Sequence, residues 1–249
     1  MSEYLSALRH HSWRRVDTDY IMPIWLPFLP SVLVLVGMLA LIPAILMWRR
    51  APLGFLGGIS ALIGLTALGM VIGIYVIYKW IKRRNDHFSR QIMLMRSVIG
   101  VLRELSRMRG GVADAEIALL ERDLREAELE EVEKSAILWV ILTLVIGIIW
   151  YYVAHFLNED FHKHEMREDR MLSSINRALE ALGLPRVEFY RTYSIPARNT
   201  ILYIILTLVT MGIFGLYWMY TLTKDPNEHF IAHSIWEGQL VGILERAPL

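Results

Sequence analysis

Apolar residues along this chain come in four uninterrupted blocks, not in the periodic stripes of a water-soluble domain. Residues 24–47, 51–78, 136–154 and 200–223 contain no Asp, Glu, Lys or Arg. Each block can supply the roughly 20 apolar residues that cross about 30 Å of hydrocarbon. The predicted fold class is therefore all-α: a polytopic helical membrane protein with about four transmembrane helices, a cytoplasmic helical hairpin and surface amphipathic helices. The segments read as a polar N-terminal stretch (1–23), a transmembrane hairpin (24–81, spans 24–47 and 53–80) and a soluble antiparallel helical hairpin (82–134). A third span (135–157), an amphipathic helix and loop (158–198), a fourth span (199–223) and a C-terminal interfacial helix (224–249) follow.

Punctuation along the chain fits these limits. Pro23, Pro27 and Pro30 mark the entry to the first span, and Pro43 predicts a kink within it. Arg49, Arg50 and Pro52 make a tight connection to the second. There Gly54 and Gly58, and later Gly69 and Gly73, stand four apart, a spacing that lets helix backbones approach closely in lipid. It suits a dimer seam or packing within one chain. In 82–134, Phe88, Ile92, Met95, Ile99 and Leu102 recur at helical spacing, Gly110-Gly111 breaks the helix, and Asp114 opens a second. The first half carries net +6 and the second net −6, so the two should pair antiparallel. Leu172, Ile175, Leu179 and Leu182 form a further helical stripe that Gly183 and Pro185 end. Trp25, Trp48, Trp80 and Trp139 fall at span ends, where indole favours the headgroup boundary.

Composition narrows the chemistry. The net charge is +1 and no basic patch is interleaved with aromatics, which argues against nucleic acid as a partner. Cysteine is absent, so disulfides, thiolate metal sites and cysteine nucleophiles are excluded. Four spans put both termini on one side, and basic residues divide 17 to 9 in favour of that side. The positive-inside rule then places both termini in the cytoplasm of a multi-pass cell-membrane protein. The expected partners are the lipid bilayer and either a second copy, as a homo-oligomer, or another membrane subunit.

One pattern recurs at three span exits. Gly73-Ile74-Tyr75 with Tyr78 leads to Asn85-Asp86-His87-Phe88, and Gly215-Leu216-Tyr217 with Tyr220 leads to Asn227-Glu228-His229-Phe230 at identical spacing. A looser copy carries Tyr151 and Asn158-Glu159-Asp160-Phe161, its Gly147 one place out of line. Such a repeat points to duplication of a span plus an interfacial helix. Asp225 as N-cap, Pro226 at N1 and Glu228 at N3 predict that a new helix starts there, with Phe88, Phe161 and Phe230 pressed into the interface. Further on, His229, His233 and Glu237 stand at four-residue intervals and share a helix face, as do Asp160, His164 and Glu168. Two imidazoles and a carboxylate suit zinc or iron. The first copy has His87, Gln91 and Met95 at these places, and four spans put the second copy across the membrane from the third. A structural face without any cofactor is the alternative, with His162 and Glu165 solvated.

The stretch Thr210-Met211-Gly212-Ile213-Phe214-Gly215-Leu216-Tyr217-Trp218-Met219-Tyr220, with Asn227-Glu228-His229-Phe230 after it, resembles a prokaryotic, archaeal-looking integral membrane family catalogued as a domain of unknown function. The resemblance implies a membrane location and a helical fold, and no activity or catalytic residue. The spans hold no ionisable group except His155, which counts against a proton-coupled transporter. Ser60 with His155 lacks a complete intramembrane protease motif. No enzymatic activity is expected. The expected role is a membrane-embedded structural or interaction subunit that assembles through its glycine-rich span and helical hairpin. An oligomeric channel or passive transporter, and a metal-binding membrane protein, are the alternatives.

Overall fold

A computed structural model describes residues 2–46, 52–189 and 191–247, which contain helices, turns and coil but no strand. The order is α1 (Ser2–Trp13), α2 (Arg15–Thr18), a 3-10 turn (Leu26–Phe28), α3 (Leu29–Leu46), α4 (Pro52–Met108), α5 (Asp114–Glu130), α6 (Ala136–Val145), α7 (Ile149–Ala181), α8 (Thr200–Val209) and α9 (Ile213–Glu245). The tight connection expected at Arg49 and Arg50 lies outside the described residues. Helix α3 continues through Pro43 without a break.

Two helices, over Leu26–Leu46 and Leu53–Met108, hold stretches long and apolar enough to cross a membrane. Only 6% of the apolar window of the first and 11% of that of the second are buried, so neither is the core helix of a water-soluble fold. They form an antiparallel pair with small residues at the contact. A Cβ on Gly58 would lie 2.6 Å from Ala44 Cβ, and one on Gly69 would lie 3.2 Å from the Pro30 carbonyl oxygen. Gly73 faces the Pro30 ring at 3.9 Å. The glycine face of α4 is therefore occupied by α3 of the same chain.

The third and fourth apolar blocks are not single helices. Residues 146–148 separate α6 from α7, and residues 210–212 separate α8 from α9. Each block folds back on itself: the Trp139 ring meets Tyr152 at 5.1 Å and Phe156 at 5.5 Å, and the Tyr203 ring meets Phe214 at 4.9 Å and Trp218 at 5.3 Å. The second turn is built by Met211 and Gly212, both at positive φ (49° and 93°). The Thr210 hydroxyl donates to the Leu206 carbonyl and accepts from the Phe214 N–H, satisfying both sides of the break. Three consequences correct the sequence reading. Segment 158–198 stands on the same side as 82–134 and 224–247, not across a membrane from them. The helices α4, α7 and α9 run unbroken through Asn85, Asn158 and Asn227, so no new helix starts at these motifs. Phe88, Phe161 and Phe230 do not lie at an interface but pack on one another in the interior.

The polar halves of α4, α7 and α9, with α1 and α5, enclose a second core that includes Leu8, Val98, Leu102, Leu120, Ile175 and Leu240. Gly110 and Gly111, both at positive φ, reverse the chain so that α5 pairs back on α4. Arg96 meets Glu128 at 2.8 Å, and Arg103 meets Glu121. Helix α5 also packs on α7, where Arg170 meets Glu126 at 2.9 Å and Arg177 meets Glu116 at 2.7 Å.

The α3–α4 contact is open to a direct test. Gly58→Ala should lower the unfolding temperature in detergent, at a cost of about 1–3 kcal/mol, because the backbone pair must separate. Gly64→Ala, which meets nothing within 4 Å, should not. Equal unfolding temperatures for Gly58→Ala and the parent protein would refute the contact.

Candidate metal centre

The three repeated motifs meet around one buried point. Each long helix delivers its asparagine one turn beyond the apolar segment. Asn85 donates to the Lys134 carbonyl (2.7 Å) and accepts from the Lys134 N–H (3.2 Å), where the chain enters α6. Asn227 does the same for Met22 (2.8 and 3.1 Å), ahead of the turn that enters α3. Asn158 has no such partner for its Nδ2; Arg198 on Asp225 joins the α8 entry to α9 instead. The carbonyl of Leu222, which loses its helical donor because Pro226 has no N–H, accepts from Arg83 at 2.6 Å. That contact lets α9 continue through a proline placed for a helix start.

Beside the Phe88, Phe161 and Phe230 cluster stand His87 from α4, His164 from α7 and His229 from α9. Their ring centroids are 5.0 to 5.2 Å apart. One ring nitrogen of each lies within 4.8 Å of the other two. Every Nδ1 is held by a carboxylate: His87 by Asp19 (2.9 Å), His164 by Glu131 (2.9 Å) and His229 by Glu165 (3.3 Å). Carboxylate acceptors fix the Nδ1–H tautomer and leave the Nε2 lone pairs free. Burial lowers His229 and holds His87 well below its ordinary value, against the opposing pull of Asp19 on His87 and of Glu168 and Glu165 on His229. The rings are thus neutral, yet His87 Nε2 and His229 Nε2 face each other at 3.1 Å. With both Nδ1 atoms protonated, the two Nε2 lone pairs would oppose each other unless a proton or a cation lies between them. The spacing is close to the ligand–ligand edge of about 3.3 Å that Zn–N bonds of about 2.0–2.1 Å give in a tetrahedron. His164 Nε2 is buried with no partner of its own.

Glu168, one turn beyond His164, is a fourth carboxylate beside the cluster, 3.9 Å from His229 Nδ1. Its Oε1 makes no hydrogen bond and lies 3.4 Å from His233 Nε2, while Oε2 accepts from Arg191 at 2.8 Å. Burial pushes this carboxyl up, but His229, His233, His164 and Arg191 together hold it well below the carboxylate range. A cavity of about 10 Å³, room for one water, is lined by Gln91, Glu131, His164, Arg167 and Glu168 among others.

The triplet His229, His233 and Glu237 does share a face of α9, but only His229 joins the histidine triangle. His233 faces Gln91 Oε1 at 2.7 Å and Glu237 at 3.1 Å, and Glu237 accepts from Arg90 at 2.9 Å. Asp160 turns away to Arg84 and Lys134, both at 3.0 Å. Glu165, expected in solvent, is buried and accepts from Ser194, the Ile195 N–H and Arg191. His162 is half-buried, with Nδ1 2.7 Å from the Ile195 carbonyl. Sequence reasoning missed the convergence of His87 and His164 with His229. The glycines in the middle of the last two blocks, Gly147 and Gly212, were the signal that could have exposed it.

The fold and site together define an all-helical protein with a histidine cluster drawn from three long helices at the foot of its apolar segments. Residues 198–242, which span α8 and most of α9, match the family described as Domain of unknown function (DUF4234). No curated protein and no solved structure matches the chain.

The carboxylates around this cluster make acid stability informative. Burial raises the Glu237 carboxyl, but His233 and Arg90 outweigh it and hold it at about 2 against an ordinary 4.5. A depressed carboxyl stabilises the fold above its unfolded value and loses that contribution as pH falls through the folded one. Thermal stability should therefore fall as pH drops from 4.5 to 2, the two limits of this carboxyl. Glu237→Gln should be less stable at neutral pH and flatter across that window; a variant curve parallel to the parent's would contradict the assignment.

Proposed function

We propose that this chain is a membrane-anchored metal protein in which His87, His164 and His229 hold one divalent cation, zinc first and ferrous iron second by donor type. The observation that carries this reading is the convergence of three buried imidazoles, one from each long helix, each with its Nδ1 on a carboxylate and with the Nε2 atoms of His87 and His229 3.1 Å apart. Glu168 is the fourth-ligand candidate. The three histidines are at most 3% exposed and the adjoining cavity holds a single water, which favours a metal that ties the repeats together over one that works on a substrate. The role is then that of a structural or interaction subunit, with α1, α5 and the polar half of α7 as its surface for a second copy or another membrane subunit.

The exposed apolar surfaces of α3 and α4 support a location in a cell membrane. With every described polar segment on one side of the apolar helices, 24 of the 26 basic residues belong to that side. The positive-inside rule then makes that side, with both termini, cytoplasmic. A channel is the weaker reading: Thr143, Thr207 and Thr210, candidates to line a pore, each donate their hydroxyl to the carbonyl four residues back in their own helices.

Elemental analysis of protein purified without chelator should find about one zinc or iron per chain, as a three-histidine site requires. His87→Ala and His164→Ala should each lose it, while His162→Ala keeps it. Chelation should lower the unfolding temperature and zinc restore it. Metal-free protein whose unfolding temperature ignores added zinc would end this proposal.

A further inference from the structure

The two short hairpins, α6–α7 and α8–α9, raise a question the metal does not answer. Helices α6 and α8 have ten residues each, a length of about 15 Å and half of the roughly 30 Å hydrocarbon core. Their bases are polar: Lys134 pairs with Asp160 at 3.0 Å, and Arg198 pairs with Asp225. Their tips are apolar and bare, with Val145 75%, Ile148 71%, Val209 76% and Met211 96% exposed. A tight turn in water carries small polar residues. A turn with exposed methionine, valine and isoleucine fits surroundings where apolar groups are at no disadvantage.

Depth can also be judged against α4. Leu144, at the tip of α6, lines one groove with Thr66, Gly69, Met70 and Gly73. Trp80, stacked on Trp150 at 5.6 Å, marks the polar end of the apolar stretch. Gly69 is eleven residues from Trp80 along α4, about 16 Å, while the helix continues apolar to Pro52 at about 42 Å. The groove also includes Ile74 and Ile77, so the tip of the first hairpin stands within the upper half of the apolar length, well short of Pro52. Helix α3 begins at this same level, where Pro30 meets Gly69.

We propose that α6–α7 and α8–α9 are seated in one leaflet only, the one on the side of the histidine cluster, and that the membrane body is consequently a wedge. The near leaflet holds five helix segments, from α4, α6, α7, α8 and α9. The far leaflet holds two, from α3 and α4. The partner is lipid of a single leaflet, and the protein favours bilayers that are convex on its histidine side. This rests on the membrane reading of α3 and α4, not on the metal.

The absence of cysteine permits single-site labelling. Ile148→Cys and Met211→Cys place a probe at each tip, Leu46→Cys at the far end of α3 and Val132→Cys on the polar side. Each carries a fluorophore in phosphatidylcholine–phosphatidylglycerol vesicles whose acyl chains are brominated at chosen depths. Both tips should be quenched several-fold more by bromine near the chain ends than by bromine near the headgroups, and an impermeant maleimide should reach neither from either side. Protein density on small vesicles should exceed that on large ones several-fold. Labelling of either tip from the side opposite Val132 would show a complete span and overturn the proposal. Labelling from the Val132 side without quenching would place that hairpin in water and overturn it too, as would equal density on both vesicle sizes. A chain that fails to float with vesicles, with no quenching in any variant, would instead refute the membrane reading itself.

Discussion

A chain that enters lipid as a new helix must first satisfy the backbone N–H and C=O of its entry residue, which no helix has yet taken up and which hydrocarbon cannot. Here the repeated asparagine supplies both partners at once. Asn85 takes Lys134 ahead of α6, and Asn227 takes Met22 ahead of α3. Each clamp comes from the exit helix of a different repeat, so a hairpin cannot dock without drawing two long helices together. Residues one turn further along then meet as a matter of geometry: His87 and Phe88 from α4, His229 and Phe230 from α9. The middle repeat departs from this scheme. Asn158 lacks the backbone partner, Asp160 is drawn to Arg84, and the helix brings His164 to the centre one turn later.

Burial of so many charges at one place has a second effect. An unpaired buried charge is costly, and two arginines here are each answered by a pair of carboxylates. Arg90 lies between Asp19 and Glu237, and Arg191 between Glu165 and Glu168. Asp19 and Glu165 also hold a histidine Nδ1. One carboxylate therefore neutralises an arginine and sets an imidazole tautomer. The N-terminal segment becomes part of the centre, because Asp19 reaches His87 from outside the three long helices. Burial at the same time keeps His87 and His229 from taking protons that would relieve their opposed lone pairs. A cation between them would satisfy both constraints.

Much of this was legible in the residues, and what was not has a definite cause. The apolar blocks, the Gly110-Gly111 reversal and the pairing of oppositely charged helices are local or periodic, and they appear in the structure where the sequence puts them. Continuity of the last two blocks was misjudged because hydropathy measures length and not straightness; Ile146 and Met211 are as apolar as their neighbours. The predicted start at Pro226 failed for a non-local reason. The carbonyl freed by that proline accepts from Arg83, 139 residues away. The two errors together hid the site, since an even span count sends His164 to the opposite side from His229.

The clamps and the centre also fix where the protein is stiff. His87 lies seven residues beyond Trp80 on α4, about 10 Å above the level at which the hairpins enter the apolar zone. Three helices are held there by asparagine, arginine and histidine contacts. Spreading of the polar end itself would pull His87 from His229 and expose the lone pairs and carboxylates now buried around them. More helix segments gather around the polar end than continue beyond the hairpin tips, and the histidine cluster ties that wider end together.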